Sequence, residues 1–260
     1  MEHLLEREGP LATLDAAVRE AAAGHGSLVF VGGEAGVGKT SLVRALRGRV
    51  ADAAAFFVGA CEPLSVPVPL APLRELAEQA GLGDLEESGD RLALARQLLE
   101  ALAERAPAVA VVEDLHWADP TTLDVLRLLA RRVERRQLVI VLTYRDDEVR
   151  SNPPLRQLLG DLATRPAVQR VALSPLSESA VAELAAPAGM NAGDVSRATG
   201  GNPFLVVEVI AAGGRLPSSV RDAALARAAR LTPAARRVVD AAAVIGQRVA
   251  PPLLEAVTPG

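Results

Sequence analysis

The run Gly33-Glu34-Ala35-Gly36-Val37-Gly38-Lys39-Thr40 carries the most concentrated chemistry in the chain. It matches the spacing G-x-x-x-x-G-K-[ST] through Gly33, Gly38, Lys39 and Thr40. Glycines let the backbone curl until successive N–H groups point inward at phosphate oxygens. A helix that starts at this point adds the partial positive charge of its N-terminus. Of the 28 basic residues a single one, Lys39, is lysine and the rest are arginine. Lys39 therefore stands where arginine does not substitute: an ammonium is a compact charge on a thin stem, whereas a planar guanidinium is too bulky for the same crevice. Thr40 offers a hydroxyl to Mg²⁺, a hard cation that keeps several waters and takes few protein ligands. Ser41 follows at the helix start. The pattern implies a nucleoside triphosphate, ATP with Mg²⁺, held along Gly33 to Ser41.

A second constellation ends the apolar run Ala108-Val109-Ala110-Val111-Val112 with Glu113-Asp114. A P-loop enzyme needs a carboxylate at the end of a neighbouring strand to hold hydrated Mg²⁺, and another to orient or deprotonate the attacking water. Position assigns Glu113 to the metal and Asp114 to the water, with the reverse assignment open. The acids gain their meaning from the P-loop, since many strands end in a solvated charge. Asp119 then reads as the N-cap of a helix with Pro120 in its first turn. Trp117 between them reads as packing, and His116 as packing or as a group facing the metal site.

A third apolar run, Leu138 to Tyr144, ends in Arg145. Next to the acidic strand it would bring Arg145 near the terminal phosphate, where a cation tells triphosphate from diphosphate. A solvated strand-end arginine is the competing reading. Arg131, Arg132, Arg135 and Arg136 read as a solvated helix end.

These groups need a scaffold. Apolar runs predict strands near 28–32, 55–60, 108–113, 138–144 and 168–173, alternating with helices near 11–23, 39–50, 72–81, 91–105, 120–135 and 154–163. Such alternation predicts an α/β fold, a parallel sheet sandwiched by helices, with ligands at the carboxyl ends of its strands. Half of the residues are hydrophobic and only 2% are aromatic, so the core is expected from Leu, Val and Ala. The proline-rich linker from Glu62 to Pro72 is expected to be extended. After Ser174 the strand signals stop, and helices are expected over 177–186, 192–199, 203–212, 218–230 and 232–245.

The formal charge is −4 and the arginines are scattered, which does not point to nucleic-acid binding by this segment itself. No apolar run approaches the roughly 20 residues of a membrane span, and the first residues lack signal-peptide character. A soluble, cytoplasmic protein is expected. One cysteine, Cys61, fits a reducing compartment and reads as a small buried apolar residue.

Together the motifs resemble the signal-transducing STAND ATPases, and within them the ATP-binding module of large LuxR-type, MalT-like transcriptional regulators. The resemblance runs from Leu4-Leu5-Glu6-Arg7-Glu8, similar to an opening "GRE" with Glu6 in place of glycine, through the P-loop and Pro69-Leu70-Ala71-Pro72-Leu73. It continues in the family-specific Val112-Glu113-Asp114-Leu115-His116-Trp117-Ala118-Asp119-Pro120, Arg145 after the sensor strand, and Gly201-Asn202-Pro203. It implies nucleotide contacts from Arg7 and from Pro203 on the adenine side. It also implies a P-loop nucleotide-binding domain over 1–173, a helical lid domain over 174–230 and the beginning of a winged-helix domain over 231–260, the chain being a truncated piece.

The function implied is an ATP/ADP switch with slow hydrolysis, answering a small-molecule or protein inducer, with nucleotide-dependent self-association. DNA would be met only through C-terminal domains beyond this chain. Two other classes stand beside it. A P-loop kinase would need a lid of convergent cations around a small acceptor, and a ring-forming motor would need pore loops and a finger supplied in trans.

Overall fold

The computed structural model describes residues 4–64, 66, 68–83, 90–215, 217, 221, 222, 225, 228, 229 and 231–245. The chain divides into two compact units, Met1–Ser174 and Pro175–Gly260.

In the first unit α1 (Glu8–Ala22) precedes β1 (Ser27–Gly32), and α2 (Lys39–Val50) leads to β2 (Ala55–Ala60). Next come α3 (Ala71–Gln79), α4 (Arg91–Ala103), β3 (Ala108–Glu113), α5 (Pro120–Ala130), β4 (Leu138–Tyr144), α6 (Pro153–Leu162) and β5 (Val168–Ala172). The five strands form one sheet in the order β2-β3-β4-β1-β5, and every pairing is parallel. Because side chains alternate across a strand, each strand feeds two cores. Leu28, Phe30, Ala110, Val112, Ile140 and Leu142 face the layer that holds Leu73, Leu98, Leu126 and Leu158 from α3 to α6. Val29, Val31, Val109, Val111, Val139 and Val141 face Leu14, Val18, Leu42 and Leu46 from α1 and α2. Burial on both faces explains why β1, β3 and β4 read as continuous apolar runs. The expected α/β sandwich is the fold observed.

Topology corrects one expectation. The acidic strand β3 is not the neighbour of the P-loop strand β1, because β4 lies between them, with Val31 opposite Thr143 and Val112 opposite Leu142. The carboxyl end of β4 thus fills the space between P-loop and acids.

Two further expectations change. The helix predicted over 120–135 stops at Ala130, and a 3₁₀ turn, Val133–Arg135, follows. That turn buries Val133 completely and lets the Glu134 carbonyl accept from the Gly26 N–H at 3.1 Å, so the chain is already turning into β4. The linker also ends in a turn and not in extended chain: Leu70 takes φ +59° as the residue before α3. Its buried side chain and a 3.1 Å hydrogen bond from its N–H to Asp119 Oδ2 offset the cost of that conformation.

β2 is an edge strand, and α3 covers its open side with side chains. Val58 N–H donates to Gln79 Oε1 at 3.0 Å, Gln79 Nε2 donates to the Val58 carbonyl at 2.6 Å, and Ala60 N–H donates to Glu75 Oε2 at 3.0 Å. Edge groups that would otherwise template pairing with another strand are thereby engaged.

The second unit contains α7 (Glu178–Ala185), α8 (Ala192–Thr199), α9 (Pro203–Ala211) and α10 (Pro233–Ile245). Ser177, Asn191 and Asn202 cap the first three through their side chains. The helix expected over 218–230 lies partly outside the described residues. So does the expected winged-helix start, including Leu253-Leu254. No helix among the described residues is long and apolar enough to cross a membrane.

Candidate functional site

β1 ends at Gly32, and the chain turns through Gly33 before α2 begins at Lys39. A Cβ on Gly33 would lie 2.8 Å from Val37 Cγ1 and 2.9 Å from the Leu173 carbonyl oxygen, so the turn closes only on glycine. Gly36 at φ +79° and Gly38 at φ +101° are left-handed, which favours glycine at both. Gly38 is the N-cap of α2 and supplies no side-chain acceptor to its first turn. Backbone donors at that helix end are thus left to a ligand anion, and the fit to a phosphate chain is good.

Lys39 is 7% exposed, and its Nζ donates to the carbonyls of Gly33 at 2.8 Å and Glu34 at 2.9 Å. Burial lowers its pKa from the usual lysine value, and Arg145 acts in the same direction, while Asp114, Asp147 and Asp146 oppose the shift. Charges at the ends of β3 and β4 thus act on the ammonium. Thr40 is exposed and Ser41 half-buried in the first turn of α2.

Arg7 is buried and braces the loop from behind. Its Nη2 donates to the carbonyls of Val37 at 3.0 Å and Ser174 at 2.8 Å, and its Nη1 to that of Glu6 at 3.0 Å. Burial lowers its pKa. Glu6 takes φ +56°, the conformation glycine adopts freely, at the position where the resembled motif has glycine.

At the end of β3, Glu113 is half-buried and its Oε1 is buried with no hydrogen-bond partner among the described residues. Asp114 follows at φ +57°, with its N–H donating to Thr143 Oγ1 of β4 at 3.0 Å. These carboxylates and the Thr40 hydroxyl are hard oxygen donors, the set Mg²⁺ prefers, and the partnerless Glu113 oxygen fits such a ligand. Among the described residues no cluster of three His, Cys, Asp or Glu is assembled for a metal.

Arg145 does not stand free in solvent. Its Nη1 donates to Glu148 Oε1 at 2.9 Å, and its Cζ lies 4.9 Å from the centroid of the Trp117 ring. Trp117 packs as expected, with the His116 ring 4.5 Å away at a tilt of 46°. The His116 side chain is fully buried, and its Nε2 lies 3.9 Å from both Asp114 Oδ1 and Glu148 Oε1. Burial, with Arg145 and Lys39 nearby, pushes its pKa down to about 3, so the imidazole is neutral. Cys61 is buried, and its thiol is pushed up to about 12 by burial and by the carboxylates of Asp119, Asp114 and Glu75. It is an inert apolar residue, as expected. Pro203 belongs to the second unit, as the first residue of α9 after its N-cap Asn202.

Sequence reasoning did not find Thr143, Glu148 or the bracing contacts of Arg7. The sole local signal is that Thr143 and Glu148 flank Arg145 at a strand end.

The sequence profile of the AAA ATPase domain matches residues 3–142. An uncharacterized protein of Rhizobium meliloti (strain 1021) is 30% identical over 190 residues, which is 55% of this chain and 18% of that protein. The chain thus spans under a fifth of that relative. Among solved structures, the Aeropyrum pernix ORC1 protein in complex with DNA is similar at a TM-score of 0.55 and 15% identity, covering 94% of this chain and 73% of that one. A signal transduction ATPase with numerous domains (STAND) from Pyrococcus horikoshii, with a tetratricopeptide repeat sensor, is similar at a TM-score of 0.51 and 17% identity. That match covers 98% of this chain and 37% of the other. At these identities the likeness is one of fold: a parallel five-stranded sheet flanked by helices, as in P-loop NTPases.

Proposed function

Because this chain belongs to the AAA ATPase domain family, we propose that it is a nucleotide-dependent switch module that binds ATP or ADP with Mg²⁺ and hydrolyses ATP slowly. The observation that carries this reading is Lys39: the sole lysine is buried in a glycine turn, with Asp114 and Arg145 acting on it from the ends of β3 and β4. Residues Gly33 to Ser41 wrap the phosphates, and Arg7 holds that loop in shape through Val37. Thr40 and Glu113 hold the metal, Asp114 orients the attacking water, and Arg145 meets the terminal phosphate. Bound Mg²⁺ neutralises phosphate charge as bonds change.

The regulatory role rests on the motif resemblance to signal-responsive transcriptional regulators, in which an inducer shifts the balance between ADP and ATP forms. Self-association with ATP and DNA contact through other domains belong to the same proposal. A switch must dwell in each state, so turnover is slow.

The test is to purify the protein, identify the copurifying nucleotide by mass spectrometry and follow phosphate release without any acceptor. Bound ADP or ATP and slow acceptor-free release are expected. Phosphate transfer that appears only when a small acceptor is supplied would replace the switch with a phosphotransferase.

A further inference from the structure

The linker from β2 to α3, the start of α3 and the turn that follows β3 enclose a cavity of about 150 Å³. Both ends of the linker are pinned. The Cys61 N–H donates to the Glu113 carbonyl at 2.9 Å, and the Leu70 N–H donates to Asp119 Oδ2 at 3.1 Å. The cavity is thus formed by the fold before any ligand arrives, as binding pockets mostly are. An apolar cavity of about this volume accommodates benzene, so there is room for about six non-hydrogen atoms.

Two kinds of group line it. Leu64, Val68, Pro72 and Trp117 supply apolar wall. Leu64 and Val68 are 47% and 49% exposed, apolar surface that an occupant would take from water. Arg145 already stands over the Trp117 ring, so the ring serves the cavity as wall. The charged residues of the lining are all acidic: Glu62, Glu75 and Asp119. Asp119 is engaged in capping α5 and holding Leu70. Glu75 gives Oε2 to the Ala60 N–H, which leaves Oε1, and Glu62 is exposed.

Cys61 lines the same cavity at 5% exposure, and its thiol has no hydrogen-bond partner among the described residues. Burial, with the carboxylates of Asp119, Asp114 and Glu75, pushes the thiol up to about 12. The sulfur stays neutral, and the charges acting on it are all negative. A cleft lined by one sign of charge concentrates ions of the other. A chelated metal does not suit it, since among the described residues no three His, Cys, Asp or Glu are assembled to hold one. The apolar wall asks for carbon instead.

We infer that this cavity is a binding site for a small aliphatic cation, an ammonium or guanidinium group on a chain of about four carbons. The chain lies against Leu64, Val68 and Trp117, and the charged head turns to Glu62 and Glu75. Such a head only donates hydrogen bonds, and the Glu62 carboxylate, Glu75 Oε1 and the Cys61 sulfur are its acceptors. The site uses no residue assigned to phosphate or metal, so it stands whichever nucleotide the P-loop takes.

Trp117 is the sole tryptophan, so its fluorescence reports occupancy of the cavity in the whole protein. Three probes with one four-carbon frame separate charge from shape: n-butylammonium, n-butanol and butyrate, titrated at equal ionic strength. n-Butylammonium is expected to saturate the signal with a Kd on the order of 1 mM. n-Butanol should bind about fivefold more weakly or worse, and butyrate should leave the signal unchanged. Glu62→Gln and Glu75→Gln should each weaken n-butylammonium by about twofold to fivefold and leave n-butanol as it was. Glu75→Gln keeps an oxygen for the Ala60 N–H, so the edge of β2 stays covered. Equal affinities for n-butylammonium and n-butanol, or parental n-butylammonium affinity in the variant carrying both substitutions, would overturn the cation site. A signal that n-butylammonium does not saturate would remove the cavity as a binding site altogether.

Discussion

Thr143 Oγ1, on the strand between the P-loop strand and the acidic strand, accepts the backbone N–H of Asp114 at 3.0 Å. Thr143 is 1% exposed, and Asp114 sits at φ +57°, a conformation that costs an aspartate about 1 kcal/mol or more unless its surroundings fix it. The hydroxyl thus sets where the carboxylate points. Thr143→Val keeps the shape and removes the acceptor. It is expected to lower stability by about 1–2 kcal/mol and to reduce ATP hydrolysis more than ATP affinity, as read by phosphate release and calorimetry on one preparation. Equal losses in both would make Thr143 a purely structural residue.

Lys39→Ala removes the only ammonium in the cradle and leaves the phosphate charges to backbone dipoles. Charge-assisted hydrogen bonds contribute about 1.5–3 kcal/mol each, so ATP affinity is expected to fall by at least about tenfold to a hundredfold. The melting temperature without ligand should hold or rise, since burial disfavours this charge. Titration calorimetry showing parental affinity would remove the P-loop assignment.

The two acids separate by substitution. Asp114→Asn keeps the shape and the Thr143 contact but lacks a base, so hydrolysis drops by about a hundredfold or more while binding persists. Glu113→Gln instead weakens the Mg²⁺ dependence of binding. Magnesium titrations and turnover on both variants read the assignment, and the opposite pattern would exchange the two roles.

His116 also makes stability depend on pH in a stated direction. An exposed histidine titrates near 6.5, whereas the buried ring titrates at about 3. Below about pH 6.5 the unfolded chain takes up a proton that the native state refuses, so this contribution is full above pH 6.5 and is lost as the pH falls towards 3. Between pH 7 and pH 5 the parent should lose about 2 kcal/mol more than His116→Phe. Urea unfolding followed by the fluorescence of Trp117, the sole tryptophan, measures the difference at both values. A parent and variant with the same pH slope would mean that the ring is open to protonation in the native state.

The strands β1, β3 and β4 were legible because burial on both faces writes an unbroken apolar run, and the P-loop because its glycines and lysine are local in sequence. Helix starts at Pro120 and Pro203 were legible from the capping residues before them, Asp119 and Asn202. What stayed hidden are pairings between a side chain and a distant backbone. Thr143 meets Asp114 across 29 residues, Gln79 meets Val58 across 21, and Arg7 meets Ser174 across 167. Spacing along the chain carries no trace of these. The order of strands was equally hidden, since an apolar run does not say which run it lies beside, and so β4 entered between the P-loop and the acids unannounced. Leu70 misled because prolines on either side argued for extended chain, while the Asp119 carboxylate that rewards a turn lies 49 residues away.

The solitary lysine has a consequence for anyone who handles this molecule. Amine-directed reagents, such as the activated esters used to attach dyes or to fix proteins on resin, find one side-chain target in this sequence, and it is 7% exposed and held by two carbonyls. To acylate it a reagent must enter the glycine turn itself. Labelling is therefore slow, is blocked by whatever fills the turn, and reports its occupancy without a radioactive or fluorescent nucleotide. By the same logic, any enzyme that tags lysine side chains has no neutral place in this sequence to write its mark.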